Sequence, residues 1–502
     1  MFASPLRIRR FWIAVAVSLS LALALPLSAL ANVPLAQISS DPYTNSTSQH
    51  RTQVEPDTFS FGSTIVAAQQ TGRFFDGGAS NICWSTTTNN GTSWTNGCLP
   101  GITKFQGGTF DRVSDPAVAY DARHNVWMVS SLAISEAGGV HGAAIVTSRS
   151  TDGGFTWGNP VTTATGADLD KNWIVCDNTP SSPFYGNCYT QWDNHAASNR
   201  LQMSTSTNGG LTWGAARATQ SNNRGLGGQP VVLPNGTVCV PYYTGGTQIG
   251  AFRSTNGGST WSSAVLVMSI RLHTVAGNLR TSALPSAEVD AAGRVYVAVQ
   301  DASFRSGSSS NDIVMSTSTN CTTWTSKVRI PIDATNSGVD HFIPGLAVDK
   351  TTSGSTARLG LTYYYYPVAN CTAATCQLNV GFVSSSNGGT SWSAPTAVAG
   401  PMTLSWLPNT SQGPMVGDYI STSYGSDGLA HGVFMVANPP TAGGSNCQTA
   451  TPNCDQATYT PSTGLMLTSG SPTVDVAEVP VEQHKLPMSA AANASDNAAF
   501  NR

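Results

Sequence analysis

The sequence is poor in charge: only 10% of its 502 residues are Asp, Glu, Lys or Arg, and the net charge is −3. This composition excludes the basic surface that nucleic-acid binding requires. Helical periodicity is almost absent, and no segment after the amino-terminal one is apolar enough to span a bilayer. The composition therefore predicts a β-rich protein that binds neither nucleic acid nor membrane. Nothing in it demands a second subunit, so we expect a monomer.

The amino-terminal segment has the pattern of an export signal. A basic start is followed by an apolar run from Phe11 to Leu25 and by Ala29-Leu30-Ala31, a small-x-small cleavage site. We expect residues 1–31 to be a signal peptide and the mature, secreted chain to begin at Asn32.

All ten cysteines lie in the part that would be exported. An oxidising destination favours five disulfides, although spacing alone does not fix their connectivity. Zinc ligation is a poor alternative, because no Cys-x-x-Cys pair or nearby histidine supplies a tetrahedral set. Four pairs are close in sequence, which leaves Cys239 and Cys321; the close pairs are Cys83 with Cys98, Cys176 with Cys188, Cys371 with Cys376, and Cys447 with Cys454.

One short motif recurs six times, as in Ser150-Thr-Asp-Gly-Gly-Phe-Thr-Trp157. Its Asp or Asn can bond its own backbone, the Gly that follows tolerates positive φ, and the final Trp offers a large apolar surface. These are the features of a hairpin turn, and each copy follows a strand-like run. The fifth copy is one residue short and lacks both glycines. The copies begin at Thr87, Ser150, Ser206, Ser254, Ser318 and Ser385.

A second repeat, out of phase with the first, marks the starts of short strands, usually with a proline. Seven starts at intervals of roughly 55–70 residues predict an all-β fold, a propeller of seven four-stranded antiparallel blades over residues 32–481. The seventh unit has no copy of the motif, so either chain end supplies its last strand. We expect residues 482–502 to be a disordered tail. The starts are Glu55-Pro56, Asp115-Pro116, Asp170-Lys171, Gln229-Pro230, Leu284-Pro285, Ile343-Pro344 and Gly413-Pro414.

Residues at these starts are expected to ring one mouth of the propeller channel, because each innermost strand begins near the axis. The carboxylates of the ring, Glu55, Asp115 and Asp170, belong to three consecutive blades. Crowded, partly buried acids suit proton transfer at a glycosidic oxygen, because crowding raises the pKa of one of them. The sequence therefore predicts a site at this mouth.

Three of the few arginines stand just upstream of inner strands: Arg112, Arg224 and Arg280. Guanidinium groups clamp a carboxylate with bidentate geometry, which favours an acidic glycan as substrate. The other candidate residues near this mouth are Asp111, Lys171, Gln229, His341 and Tyr419.

Structural interpretations of the same residues remain open. The acids could satisfy loop N–H groups or pair with Arg112 and Lys171, and a third interpretation is a calcium ion held by the acids. An arginine in such a place is more often in a structural salt bridge. His341 is interpreted as a lone exposed histidine, and packing explains Tyr419. No other cofactor and no metal-ligand set are predicted.

The motif resembles the Asp-box, Ser-x-Asp-x-Gly-x-Thr-Trp, and the chain resembles the sialidase superfamily of BNR-repeat propellers, whose six blades give the alternative count. The resemblance implies retaining hydrolysis of terminal sialic acids by an arginine triad, an acid/base aspartate and a tyrosine nucleophile assisted by a glutamate. Carried over by position, Arg112, Arg224 and Arg280 are the triad. Asp115 or Asp111 is then the acid/base, Glu55 the glutamate and Tyr419 the nucleophile.

Two hypotheses follow. The first is a secreted carbohydrate-active enzyme, either a sialidase-like exo-glycosidase or a polysaccharide lyase on the same fold. The second is a non-catalytic propeller that binds glycan or protein at the mouth. Convergence of the three arginines within reach of one carboxylate would favour the enzyme.

Overall fold

The computed structural model describes Met1, residues 33–440, residue 447 and residues 453–468. Apart from Met1, the predicted signal peptide lies outside the described residues, as does the predicted tail. In the described part the regular structure is strand, interrupted only by short 3₁₀ helices. None of its helices is long and apolar enough to cross a membrane. The prediction of an all-β fold is confirmed.

The described part of the chain contains short strands throughout its length. The strands are β1 (Leu35–Gln37), β2 (Gln53–Phe61), β3 (Thr64–Arg73), β4 (Ala79–Thr87), β5 (Thr95–Cys98), β6 (Arg112–Asp121), β7 (Val126–Ser135), β8 (His141–Ser150), β9 (Val161–Thr165), β10 (Leu169–Cys176), β11 (Cys188–Asn194), β12 (Arg200–Ser206), β13 (Arg217–Ala218), β14 (Val231–Val232), β15 (Val238–Tyr243), β16 (Gln248–Ser254), β17 (Val265–Ser269), β18 (Ser286–Val289), β19 (Val295–Asp301), β20 (Asp312–Ser318), β21 (Val328–Arg329), β22 (Asp340–Val348), β23 (Leu359–Tyr366), β24 (Gln377–Ser385), β25 (Thr396–Thr403), β26 (Asn409–Thr410), β27 (Gly413–Pro414), β28 (Ser421–Tyr424), β29 (Ala430–Ala437) and β30 (Gln456–Pro461). The 3₁₀ helices are Lys104–Gln106, His195–Ala197, Ala276–Asn278, Ser306–Ser308, Gly354–Thr356 and Leu404–Trp406.

The strands pair antiparallel in sets of four. Four sets, β10–β13, β14–β17, β18–β21 and β22–β25, are separate sheets in sequential order. A fifth sheet has the order β1-β30-β29-β28, so the amino-terminal strand completes the last set. The remaining sets, β2–β5 and β6–β9, form one eight-stranded sheet through a single pair, Ala79 with Val113. The strand β27 pairs with β26 in a separate hairpin, so the start predicted at Gly413-Pro414 is wrong.

The sets follow one another in a closed order. The first strand of each set contacts the first strand of the next: β2 with β6, β6 with β10, β10 with β14, β14 with β18, β18 with β22, β22 with β28, and β28 with β2. Buried apolar clusters lie between neighbouring sets, as where Val66 of β3 and Val118 of β6 share one cluster. Each sheet is therefore buried on both faces, which explains the β-branched residues along the strands.

The six motif copies link the third and fourth strands of six sets. In the second copy Ser150 Oγ donates to Asp152 Oδ1 (2.7 Å) and accepts from Gly154 N (3.0 Å), and Trp157 Nε1 donates to the Gly154 carbonyl (2.9 Å). These bonds satisfy the turn internally, so this copy contributes no groups to a ligand site.

The ten cysteines form five disulfides, as expected. The bond with the longest sequence separation, 82 residues, joins Cys239 to Cys321. Cys321 stands in the short fifth motif, where its N–H donates to Ser318 Oγ (2.9 Å) and its φ is 59°. It takes the place that glycine fills in the other copies, and the disulfide holds it there. The remaining bonds are Cys83–Cys98, Cys176–Cys188, Cys371–Cys376 and Cys447–Cys454.

Candidate functional site

The first strands of the sets correspond to the predicted inner strands. Four of them, β2, β6, β10 and β22, carry a β-bulge at the same place near their start. The bulged residue has positive φ although it is not glycine: 55° at Glu55, 47° at Asp115, and 50° at both Lys171 and Ile343. This conformation costs about 1 kcal/mol or more for such a residue, and bulges redirect side chains at functional sites. The ring position of the third set therefore belongs to Lys171 rather than to its neighbour Asp170.

Lys171 binds three carboxylates. Its Nζ lies 2.6 Å from Asp418 Oδ2, 3.4 Å from Asp115 Oδ1 and 3.8 Å from Glu55 Oε1. Arg280 makes a bidentate pair with Asp418, with Nε 2.8 Å from Oδ1 and Nη2 2.5 Å from Oδ2. None of these five side chains is more than 11% exposed. We call these five residues the Lys171 cluster.

Arg73 stands beside this cluster without a carboxylate partner among the described residues. Its Nη1 donates to the Gly78 carbonyl (2.9 Å) and to Gln70 Oε1 (3.3 Å), and Gln70 in turn donates to Glu55. Arg73 is buried, and burial together with nearby Arg280 lowers its pKa to about 10. The nearby carboxylates of Glu55, Asp418 and Asp115 act on it only at longer range. A buried guanidinium without a carboxylate at hydrogen-bond distance favours an anionic ligand.

The carboxylates of the Lys171 cluster differ in their affinity for protons. Burial raises the pKa of Glu55 to about 7, although Lys171 opposes the shift. Burial also raises the pKa of Asp115. Burial acts in the same direction on Asp418, but Arg280 and Lys171 outweigh it and hold the pKa of Asp418 well below its usual range. A carboxyl that keeps a proton near neutral pH therefore lies beside one that stays ionised, which is the pattern of acid–base sites.

A second group of ionisable residues lies on the wall beside this cluster. His195 Nε2 is 3.0 Å from Asp193 Oδ2 and 3.4 Å from Asp170 Oδ2, and His195 Nδ1 is 4.0 Å from Asp168 Oδ2. Burial alone would lower the pKa of His195, but the neighbouring carboxylates raise it to about 10. We call Asp170, Asp193 and His195 the His195 cluster.

Both clusters border one cavity of about 440 Å³. This volume is within the range of small-ligand pockets, roughly 300–1,000 Å³. The cavity lies on the face where the inner strands begin, and we call it the mouth cavity. Its charged and histidine lining consists of Glu55, Arg73, Asp76, Asp115, His141, Asp168, Asp170, Lys171, His195 and Arg280.

Replacing Glu55 with Gln is expected to flatten the dependence of stability on pH. Because the folded protein binds this proton more tightly than the unfolded chain does, stability falls as pH rises from about 4.5 to about 7. Glu55 is expected to contribute on the order of 2–3 kcal/mol to this loss in the wild type, and this contribution is absent from Glu55→Gln. Urea unfolding at a series of pH values measures it. The Asp57 carboxyl, whose pKa burial raises to about 7, is present in both proteins and cancels in the comparison.

The three arginines of the predicted triad bind different protein groups. Arg112 pairs with Asp76 and with Glu136 (Nε to Oε1, 2.6 Å) and lies over the Phe74 ring. Arg224 donates to the carbonyl oxygens of two neighbouring residues, Ala197 (3.3 Å) and Ser198 (3.0 Å). Of the three, Arg280 alone lines the mouth cavity.

Four other predicted residues also lie away from the cavity lining. Asp111 is on the rim and pairs with Lys104 (3.2 Å). The Tyr419 hydroxyl donates to the Pro116 carbonyl (3.1 Å), and its ring packs against a tryptophan. Gln229 accepts from a backbone N–H (2.7 Å). His341, interpreted as exposed, is buried, and burial lowers its pKa to about 4.

Glu55, Asp115, Asp170, Lys171 and Arg280 are the predicted residues that the structure brings together. Four residues with direct contacts at this site were missed. The proline repeat predicts that the last inner strand starts at Pro414. With that start placed at Tyr419 instead, the residue just before it, Asp418, becomes a candidate. The others stand at or near the ends of second strands: Arg73, Asp193 and His195.

No family model and no curated protein matches the sequence. Among solved structures, an ulvan lyase from a new polysaccharide lyase family aligns with a TM-score of 0.51 at 11% identity, covering 86% of this chain and 96% of that one. The chain has the fold of that lyase. At this identity the likeness extends to the fold and not to residues.

Sialidases are also structural neighbours, as the motif predicts. The NanB sialidase from Streptococcus pneumoniae aligns with a TM-score of 0.41 at 11% identity, covering 84% of this chain and 70% of that one. A protein of unknown function from Dyadobacter fermentans aligns with a TM-score of 0.46 at 15% identity, covering 71% of this chain and all of that one.

Proposed function

We propose that this chain is a secreted enzyme that hydrolyses acidic glycans in the mouth cavity of a seven-bladed Asp-box propeller. The closed order of seven four-stranded sets supports the blade count. Motif turns in six of these sets support the Asp-box assignment. The five disulfides fit an oxidising, extracellular environment and support secretion, together with the predicted signal peptide.

The observation that carries the proposal is the unpaired guanidinium of Arg73 beside Arg280 in a cavity whose floor holds carboxyl groups. The carboxylate of an acidic sugar would supply the direct ion pair that Arg73 lacks. A neutral sugar would leave Arg73 without a carboxylate at hydrogen-bond distance, so the geometry favours acidic over neutral glycans.

Asp115 is the proposed acid and Glu55 the second carboxyl. Asp115 transfers a proton to the glycosidic oxygen as the bond to the anomeric carbon breaks, and water adds at that carbon. The water gives up its proton to the carboxylate pair, which restores the starting state. Lys171 holds both carboxyls in place, and its own ammonium group is bound to three carboxylates.

A lyase is the second candidate, because two histidines, His141 and His195, line the same cavity. In that reaction a base removes the proton from the carbon next to a uronic acid carboxylate, and Arg73 and Arg280 stabilise the charge that develops. The product then carries a carbon–carbon double bond.

The test is incubation of the full chain with sialylated, uronic-acid-containing and neutral glycans. Hydrolysis releases a new reducing end without ultraviolet absorbance from an unsaturated uronate, whereas a lyase produces that absorbance. Arg73→Gln should lower kcat/KM for an acidic glycan by about 10–100-fold, the usual loss of a charged hydrogen bond. The matched control, Arg224→Gln, should stay within about twofold, because Arg224 lies outside the cavity lining. Binding without turnover across the panel would instead favour the non-catalytic module.

A further inference from the structure

The His195 cluster is built on a pair of opposed strands. Asp170 in β10 and Asp193 in β11 are directly opposite each other in the ladder. Like charges in such a pair destabilise a sheet unless a cation lies between them. His195 follows at the start of a 3₁₀ helix, where its N–H donates to the Asp168 carbonyl (2.8 Å). The fold therefore fixes two carboxylates and one imidazole around a common point.

The separations within the cluster match those of metal ligands. Asp193 Oδ2 and His195 Nε2 are buried and lie 3.0 Å apart, and neither atom has a hydrogen-bond partner outside the cluster among the described residues. Asp170 Oδ2 lies 3.4 Å from the same nitrogen. Ligands bound at about 2.0–2.1 Å in a tetrahedron are separated by about 3.3 Å. Three donor atoms at these spacings, two of them buried and without a hydrogen-bond partner outside the cluster in the described part of the chain, therefore surround a space suited to a cation.

Within the cluster the only cationic side chain is that of His195. Within the described residues neither Asp170 nor Asp193 has a Lys or Arg within ion-pair distance. His195 faces both aspartates, with a third carboxylate, Asp168, on its other side at 4.0 Å, and Lys171 acts on both aspartates at longer range. Carboxylates next to a metal-bound imidazole orient such rings.

A second histidine–carboxylate group in the chain shows the contrast. Asp312, Asp333 and His341 also bring three donor atoms together. There Arg305 pairs with both acids (2.5 and 2.7 Å), and Arg329 does the same (2.8 and 2.5 Å). Two guanidinium groups neutralise that group, so no cation is needed. The His195 cluster lacks such partners.

We propose that Asp170, Asp193 and His195 bind a divalent transition-metal cation of the Zn²⁺ or Mn²⁺ class. Asp170 and His195 line the mouth cavity, so the remaining coordination position faces the space where a ligand binds. An imidazole with two carboxylates suits these ions. Calcium prefers six to eight oxygen ligands and fits this set less well. The site goes beyond the proposed function, because metal occupancy can be measured without any glycan.

The test is isothermal titration calorimetry of the EDTA-treated, dialysed full chain with zinc chloride and, separately, manganese chloride. We expect uptake of one ion per chain. His195→Gln and Asp193→Asn should each weaken that affinity by at least about 100-fold. The matched control is His141→Gln, which removes another histidine from the cavity wall outside the cluster and should bind as the wild type does. Circular dichroism confirms that each variant is folded.

Failure of the wild type to take up either ion at one equivalent overturns the proposal, even if a variant does not fold. Unchanged affinity in folded His195→Gln overturns it as well. Glycan cleavage is assayed in parallel. A chain that cleaves glycan but binds no metal contradicts the metal site and leaves the proposed function standing. A chain that binds the metal without cleaving any glycan supports the metal site and contradicts the proposed function.

Discussion

Asp115→Asn is expected to lower kcat for cleavage of an acidic glycan by about 10²–10⁴-fold, the usual contribution of a positioned acid–base group. The substitution keeps the shape of the side chain but removes its proton-transfer capacity. Because Arg73 and Arg280 are unchanged, the dissociation constant for the glycan should stay within a few-fold. Single-turnover kinetics combined with equilibrium binding to the inactive variant separates the two quantities.

Asp111→Asn is the contrasting variant, since sequence alone left Asp111 and Asp115 as alternatives for the acid. Asp111 lies on the rim, paired with Lys104, and does not line the cavity. Its replacement should leave kcat within about twofold of the wild type, as for most surface substitutions. Equal losses in the two variants would contradict the assignment of Asp115. Retained turnover in Asp115→Asn would exclude this residue as the acid.

The fold was predictable because its signals are local and repeated. The hairpin motif needs only Asx, Gly and Trp at fixed spacing. Because it occurs six times, an irregular copy can be recognised by comparison with the other five. The fifth copy shows this: it lacks glycine, yet the hydrogen bond from Cys321 N to Ser318 Oγ keeps the turn. The strand start predicted from the proline repeat at Gly413-Pro414 was wrong. A proline also suits a short hairpin, and it carries no information about which sheet its strand joins.

The site was predictable only in part, because the proline repeat marks the starts of inner strands and not the ends of second strands. In an antiparallel sheet the first strand begins at the end where the second strand finishes. Arg73 at the end of β3 therefore lines the same mouth as Glu55 and Lys171, and Asp193 near the end of β11 binds His195, which lines it too. This geometric rule would have found them from the strand boundaries.

Sequence spacing does not predict which partners the ionisable residues bind. Arg112 and Arg280 occupy similar places before inner strands, yet Arg112 pairs with Asp76 and Glu136 on the rim, whereas Arg280 pairs with Asp418 inside the mouth. A long side chain can reach several acceptors. Which of them it binds depends on segments that are distant in sequence. The bulges likewise place Lys171, not Asp170, on the ring.

Lys171→Met is expected to lower the free energy of unfolding by about 3–5 kcal/mol at pH 7, the usual cost of removing one partner from a buried ion cluster. The ammonium group binds Glu55 in β2, Asp115 in β6 and Asp418 in the segment just before β28. After the substitution only Arg280 remains to compensate Asp418, and the other two acids lose their ion-pair partner. Denaturant unfolding followed by tryptophan fluorescence measures the change.

The sign of the pH effect distinguishes lost charge pairing from lost packing. Methionine retains the apolar stem of the lysine, so packing changes little, and protonation of Glu55 and Asp115 removes the uncompensated charge. The destabilisation of Lys171→Met should therefore shrink as pH falls from 8 to 5, because burial already raises the pKa of both acids. Adding Glu55→Gln should recover part of the loss at pH 7 through the coupling of the two residues. A destabilisation below about 1 kcal/mol that does not depend on pH would show that water rather than Lys171 stabilises these carboxylates.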